Sequence, residues 1–223
     1  IYISPNPGDA GGAVGSALIS ICKSKSEIDT NINYAYLGKK FTSEEIENVI
    51  KNKLINEKFN IKKYSSEDIF ENTVNFLKES KIVGWFQGRM EWGARALGNR
   101  SILADARNPN IKEIINSKIK RRESFRPFAP SILAKDTHQW FQIDKEVPFM
   151  TEVYSLVDDK KSLLPGITHV DGTGRLPTVS KENNSKYYYL LKKFKERTGV
   201  PIILNTSFNE NEPIVQNPEE AID

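Results

Sequence analysis

Apolar positions along this chain fall into short runs of two different periods, separated by breaks rich in glycine and proline. Helical spacing recurs several times. Thr42-Ser43-Glu44-Glu45 is a capping box running from Thr42 to Glu45, and Ile46, Val49, Ile50 and Leu54 behind it keep the rhythm of a one-faced helix. A second helix is predicted from Ser65 or Ser66, with Ile69, Phe70, Val74 and Leu77 inward. A third opens at Asn108-Pro109 and carries Ile111, Ile114, Ile115 and Ile119 on one face, which leaves Lys112 to water. A fourth covers 185–198, with Tyr188, Leu191 and Phe194 or Lys195 along one side, and Gly199 and Pro201 stop it. Residues 13–21 are small and apolar enough for a helix packed closely on something.

Continuous apolar runs at 82–86 and 201–204 read as buried strands, and 101–104 as a short one. Residues 125–133 hold two prolines and are predicted extended, because the residue before each proline avoids the α region. Residues 151–157 alternate like a strand, 166–170 suit another, and 135–141 suit a helical turn. At the start, the apolar residues 1–3 lead through a glycine-rich turn holding Asp9 into the small apolar helix. Residues 23–40 show no period and read as a linker or lid. Elements mixed this irregularly predict an α/β (α+β) fold with a twisted mixed sheet and helices, rather than a regular βαβ array. Asn217-Pro218-Glu219-Glu220 begins one more helix, and the chain starts on Ile1, so an excerpt of a longer protein is expected.

Composition narrows the picture. Of 223 residues, 38% are hydrophobic and 27% charged, enough to bury a sizeable core. A net charge of +3 argues against a general nucleic-acid coat. The single cysteine, Cys22, excludes an internal disulfide and any multi-cysteine zinc motif, which suits the cytoplasm. No apolar run approaches the roughly 20 residues of a membrane span, so no membrane partner is expected.

Charge is concentrated locally. Residues 85–130 hold ten cations (Arg89, Arg95, Arg100, Arg107, Lys112, Lys118, Lys120, Arg121, Arg122 and Arg126) against four acids. Two unit charges about 4 Å apart at an effective dielectric of about 20 repel by about 4 kcal/mol, so convergent cations call for an anion. Gly88, Gly93 and Gly98 punctuate the same run, where a backbone can come close to a ligand. A solvated basic surface is the alternative for such a run.

No P-loop, dinucleotide fingerprint, zinc-protease helix or serine elbow is present. Three polar loops at strand ends remain: 87–100, 169–175 and 205–209. Guanidinium forks at Arg95, Arg126 and Arg175 suit a phosphate. Lys120 would be a point charge, and Asn205, Thr206, Ser207 and Asn209 supply neutral donors and acceptors.

Four phrases carry a family resemblance: GRMEWGARALGNRSILAD, KRRESFRPFAPSIL, THVDGTGRLPTV and TGVPIILNTSFNENEPIV. Over roughly residues 80–223 the chain resembles the carbamoyltransferase family that includes the nodulation and antibiotic O-carbamoyltransferases. The resemblance implies three parts. Residues 1–22 would end an N-terminal domain of the actin-like ATPase superfold, 23–64 would be a linker and helix, and 65–223 would form a YrdC-like C-terminal domain. It implies an enzyme that binds ATP and carbamoyl phosphate and forms carbamoyl adenylate. The N-terminal domain then passes the carbamoyl group to an acceptor hydroxyl, such as that of a sugar or natural product. Motif matches imply Lys120 and Arg126 as catalytic, and Arg95, Arg175 and Ser207 as further contacts. ATP implies Mg²⁺, and the intact N-terminal domain implies Fe²⁺ or a similar divalent metal, with Asp9 in the position of an acidic ligand. The family pattern has proline where this chain has Ala94. His169 is open between a nucleotide contact and a strand residue, and His138 is read as surface. The alternative is an RNA- or nucleotide-binding YrdC-like module without catalysis of its own, although the near-neutral total charge makes nucleic acid the less expected partner.

Overall fold

The computed structural model describes residues 4–24, 34–53 and 60–223. Within them the strands are β1 (Val83–Phe86), β2 (Arg100–Ala104), β3 (Ala129–Leu133), β4 (Tyr154–Ser155), β5 (Thr173–Gly174), β6 (Thr178–Val179) and β7 (Ile202–Ser207). Five of them form one sheet in the order β1-β2-β7-β3-β6. The first three pairings along that order are antiparallel and β3–β6 is parallel, so the sheet is mixed, as the irregular alternation of periods predicts. β4 and β5 pair separately.

Around the sheet lie α1 (Asp9–Cys22), α2 (Ser43–Lys53), α3 (Ser66–Lys78), α4 (Ile111–Lys118), α5 (Asp158–Lys161), α6 (Ser185–Thr198) and α7 (Pro218–Ile222). α3 and α6 pack on each other and against sheet strands. In α6 the buried side chains are Tyr187, Leu190, Leu191 and Phe194, one residue round from the face predicted at Tyr188. The helix is fixed at both ends. Asn184 Oδ1 accepts the Tyr187 N–H at 3.2 Å, and Gly199 closes the other end at φ 76°. Val74 and Leu77 of α3 join the same core with Leu103, Ile202 and Ile203. The Thr42–Glu45 capping box forms in both directions, at 3.1 and 2.7 Å. Leu54 and the apolar residues 1–3 lie outside the described residues.

Several expectations need correction. Residues 166–170 are turns rather than a strand, because the Ile167 and Thr168 N–H groups are both spent locally on Leu164 O. Only two residues of 151–157 pair as a strand. The third predicted helix begins at Ile111, since Asn108 Oδ1 caps the turn before it at Asn110 N. Lys112 is not left to water: its Nζ donates to Thr168 O at 2.5 Å. The part of the expected linker that is described is no free tether. Ala35 is buried, and residues 35–39 exchange backbone bonds with 90–92, including Trp92 N to Ala35 O at 2.6 Å. Among the described residues no helix is long and apolar enough to cross a membrane.

Candidate functional site

β7 is the centre of the site. It pairs with β2 on one side and β3 on the other, so its last residues emerge between the two loops that carry the basic stretch. Asn205, Thr206 and Ser207 line a cleft of about 110 Å³ there, together with Arg95 from the 87–100 loop, Arg122 from the 119–128 loop and Arg175 just after β5. Ala94, Ala96, Phe128, Ala129 and Met150 fill in the walls. The three polar stretches read from the sequence therefore meet, although Asn205, Thr206 and Ser207 lie within β7 rather than in a loop after it, and 169–175 follows turns and carries β5.

The cleft cations repel each other and have little compensation. Burial, and after it the charge of Arg95, pulls the Arg175 guanidinium below the usual arginine value. Burial and then Arg126 do the same to Arg122. Among the described residues no carboxylate lies within ion-pair distance of Arg95, Arg122 or Arg175, whereas Arg107, Arg121, Arg126 and Arg197 all have one. Arg122 is aimed by Asn116, whose Oδ1 accepts its Nε–H at 2.8 Å, and its guanidinium carbon lies 5.0 Å from the Phe128 ring centre. The fully buried Asn116 also donates to Ser124 O and Arg126 O, so one amide shapes the whole basic turn.

The floor carries an acceptor without a partner. Asn205 is 1% exposed, and its Nδ2 donates to Ala96 O at 2.9 Å and Ser131 Oγ at 3.0 Å. A backbone carbonyl can only accept, which fixes the amide's orientation and leaves Oδ1 unpaired. Leaving a buried acceptor unmade costs about 1–3 kcal/mol.

Lys120 occupies a different place from the guanidinium groups. It is 2% exposed, and its Nζ donates to Ser207 O (2.6 Å), Asn209 O (2.6 Å) and Asn209 Oδ1 (2.8 Å), with Ser207 Oγ at 3.3 Å. The ammonium is a clamp behind the 207–209 turn. Burial pushes its pKa down to about 8, with the charge of Arg122 adding to the effect. The Ser207 hydroxyl is engaged with Asn209 Oδ1 at 2.6 Å. Arg126 lies outside the cleft lining; its side chain is 53% exposed and pairs with Glu123 at 3.2 Å. Asp9, the first residue of α1, is exposed, and among the described residues no three His, Cys, Asp or Glu side chains could hold a metal. His169 is half-buried and its Nδ1 meets Thr173 Oγ1 at 3.1 Å.

The glycines of the basic stretch serve the fold first. A Cβ on Gly98, at φ +103°, would sit 2.2 Å from the Tyr187 ring. One on Gly93 would sit 2.0 Å from Asn6 Nδ2. Arg100, undecided from sequence, is fully buried: its Nη1 donates to Gln87 O at 2.6 Å and Asn99 O at 3.0 Å, over the Phe86 ring. Burial brings its pKa down to about 10. Sequence reasoning left Arg122 open and passed over Glu91 and Asn116. The only sequence signal for them was a lone acid inside one basic run and a lone amide facing another.

Residues 74–223 match the family model described as carbamoyltransferase C-terminus. The chain belongs to the carbamoyltransferase family. It is 41% identical to an uncharacterized protein of Synechocystis, over 99% of this chain and 40% of that protein. It is also 41% identical to nodulation protein NolO of Bradyrhizobium diazoefficiens, over 100% of this chain and 41% of the relative. To the 3'-hydroxymethylcephem-O-carbamoyltransferase of Amycolatopsis lactamdurans it is 30% identical, over 95% of this chain and 38% of the relative. The chain thus spans about two fifths of the length of these curated relatives.

Proposed function

We propose that this chain carries the donor-activating site of an O-carbamoyltransferase, binding carbamoyl phosphate and ATP and forming carbamoyl adenylate. One observation carries the reading: three guanidinium groups that have no carboxylate partner among the described residues line one small cleft. Guanidinium forks suit the phosphate oxygens.

The chemistry needs no side-chain nucleophile. Water cleaves the carbamoyl–phosphate linkage to give carbamate and inorganic phosphate. A carbamate oxygen then attacks the α-phosphorus of ATP, forming the carbamoyl adenylate and expelling pyrophosphate. Gathering these anions is the electrostatic difficulty, and fixed cations offset it without reorganising. Arg95, Arg122 and Arg175 take that role. Arg126, held only by an exposed ion pair worth little, is free to swing over a bound phosphate. Lys120 holds the Ser207 and Asn209 wall from behind. Mg²⁺ would arrive with ATP on its phosphates. A transition metal does not fit Asp9 alone, so no step is assigned to one. Transfer to an acceptor hydroxyl, of a sugar or natural product, is assigned to the part of the protein beyond this C-terminal family region.

The test is exchange of labelled pyrophosphate into ATP. It should require carbamoyl phosphate and fall at least about tenfold in Arg122→Ala and in Arg175→Ala, given the ~1.5–3 kcal/mol of a charged hydrogen bond. Exchange that proceeds without carbamoyl phosphate, or at full rate in both variants, defeats the reading.

A further inference from the structure

The glycine-punctuated loop has the build of a phosphate cradle, yet its converging backbone N–H groups are already occupied. Glu91 Oε1 accepts from Leu97 N at 2.7 Å, Asn99 N at 2.8 Å and Arg100 N at 3.3 Å. Glu91 is 5% exposed, so this acceptor is a permanent part of the loop; burial pushes its pKa up, and the backbone amides it binds pull the other way. Backbone N–H groups arranged in this way ordinarily hold a ligand anion. Here the protein supplies its own. On the strength of the carbamoyl phosphate reading above, we propose that Glu91 is a positioning residue. Its carboxylate sets the 96–100 turn, and through that turn it places Arg95 and Asn205 at the cleft.

The contacts that transmit the effect are few. Leu97 is held at its N–H by Glu91 and at its carbonyl by the Tyr36 hydroxyl, at 2.9 Å. The carbonyl of Ala96, one residue earlier, holds Asn205 Nδ2. That bond turns Asn205 Oδ1 to the side that has no partner. Arg95 is the next residue back along the chain. Loosening the three amides would therefore release one cationic wall and the Asn205 floor together. A bare charge-balancing role for Glu91 against Arg100 is less fitting. The Arg100 guanidinium spends its hydrogen bonds on carbonyls of Gln87, Gly88, Asn99 and Lys39, and Glu91 spends its own on amides.

Two variants separate reach from charge. Glu91→Asp keeps the charge and shortens the side chain by one methylene. Glu91→Gln keeps the reach and an acceptor oxygen. Calorimetric titration with carbamoyl phosphate should show Glu91→Asp at least about tenfold weaker than the parent and Glu91→Gln within about threefold of it, because the lost contacts are acceptor bonds. Amide hydrogen exchange at Leu97 and Asn99 should be at least about tenfold faster in Glu91→Asp than in the parent. The proposal is overturned if Glu91→Asp binds like the parent, or if Glu91→Gln binds no better than Glu91→Asp. A parent chain that binds no carbamoyl phosphate would sink the reading of the cleft instead. The exchange comparison would then still decide the place of Glu91: protection lost in Glu91→Asp supports it, and equal exchange removes it.

Discussion

Replacing Arg175 with methionine should stabilise the free protein and weaken its hold on phosphate at the same time. Arg175 is half-buried, lacks a carboxylate partner among the described residues, and is pulled below the usual arginine value by burial and by Arg95. Methionine keeps most of the stem's packing and removes a charge that the empty cleft disfavours. The melting temperature without ligand should therefore rise. Binding should move the other way. A guanidinium–phosphate contact worth about 2 kcal/mol corresponds to about a 30-fold loss of affinity. At carbamoyl phosphate about 100 times the parental Kd, the parent gains about 2.7 kcal/mol and the variant about 0.9 kcal/mol. For a chain of this length each kcal/mol shifts the melting temperature by roughly 2–4 °C. The parent should thus move up by about 5–11 °C on adding ligand and Arg175→Met by about 2–4 °C. Scanning calorimetry with and without the ligand reads both arms. A ligand shift as large in the variant as in the parent would refute the assignment, and a free variant that melts below the parent would refute the electrostatic argument.

Two further outcomes follow from the packing. Lys120→Met leaves the Ser207 and Asn209 oxygens without their buried donor and should lower unfolding free energy by about 2–3 kcal/mol in urea titrations near pH 7. The pH dependence has a definite sign: with a folded pKa of about 8, below the unfolded value, the unfolded chain keeps a proton that the folded chain has lost between there and the ordinary lysine range. Stability contributed by this group rises with pH through that window, by at most about 1.4 kcal/mol per unit, and the slope should vanish in Lys120→Met. Gly98→Ala combines a left-handed φ with a 2.2 Å clash on the Tyr187 ring. It should destabilise the fold by about 2 kcal/mol or more, and an unchanged urea midpoint would contradict that.

Local periodicity made much of the fold legible. The capping box, the Val74 and Leu77 half of the α3 stripe and both ends of α6 follow from neighbours within four residues, and the structure has them, whereas Ile69, expected inward, is 41% exposed. Where long-range contacts decide, the pattern misleads. Residues 166–170 look like a strand, but Gly166 is pressed onto Ala106 and the following amides fold back on Leu164. The buried face of α6 is set by the sheet and by the Gly98 turn against Tyr187, which shifts it by one residue from the sequence choice. The site was legible as three polar stretches after apolar runs, although only 87–100 is a loop leaving a strand; 205–207 continue β7, and 169–175 follows the turns at 166–170. Which cation enters the cleft was not, since that depends on distant side chains such as Asn116 for Arg122 and Ser207 for Lys120.

Those distant partners also explain how the basic stretch folds at all. Arg107 is neutralised by Asp105, Arg121 by Glu210 and Arg126 by Glu123, while Arg100 and Lys120 are solvated by carbonyl oxygens instead of water. What remains in the cleft from this stretch is Arg95 and Arg122, with Arg175 added from another loop. A phosphate monoester brings about 1.5–2 negative charges near neutral pH, so a single one leaves these three guanidinium groups under-compensated. The cleft volume of about 110 Å³ suits one small phosphate and is well below the roughly 300 Å³ from which ligand pockets usually start, so a whole nucleotide would extend outside it. The residual positive charge then faces whatever lies at the mouth. In the proposed reaction that is the polyphosphate of ATP, drawn toward the site where carbamate is released, and the exposed Arg126 stands on the turn that leads to it.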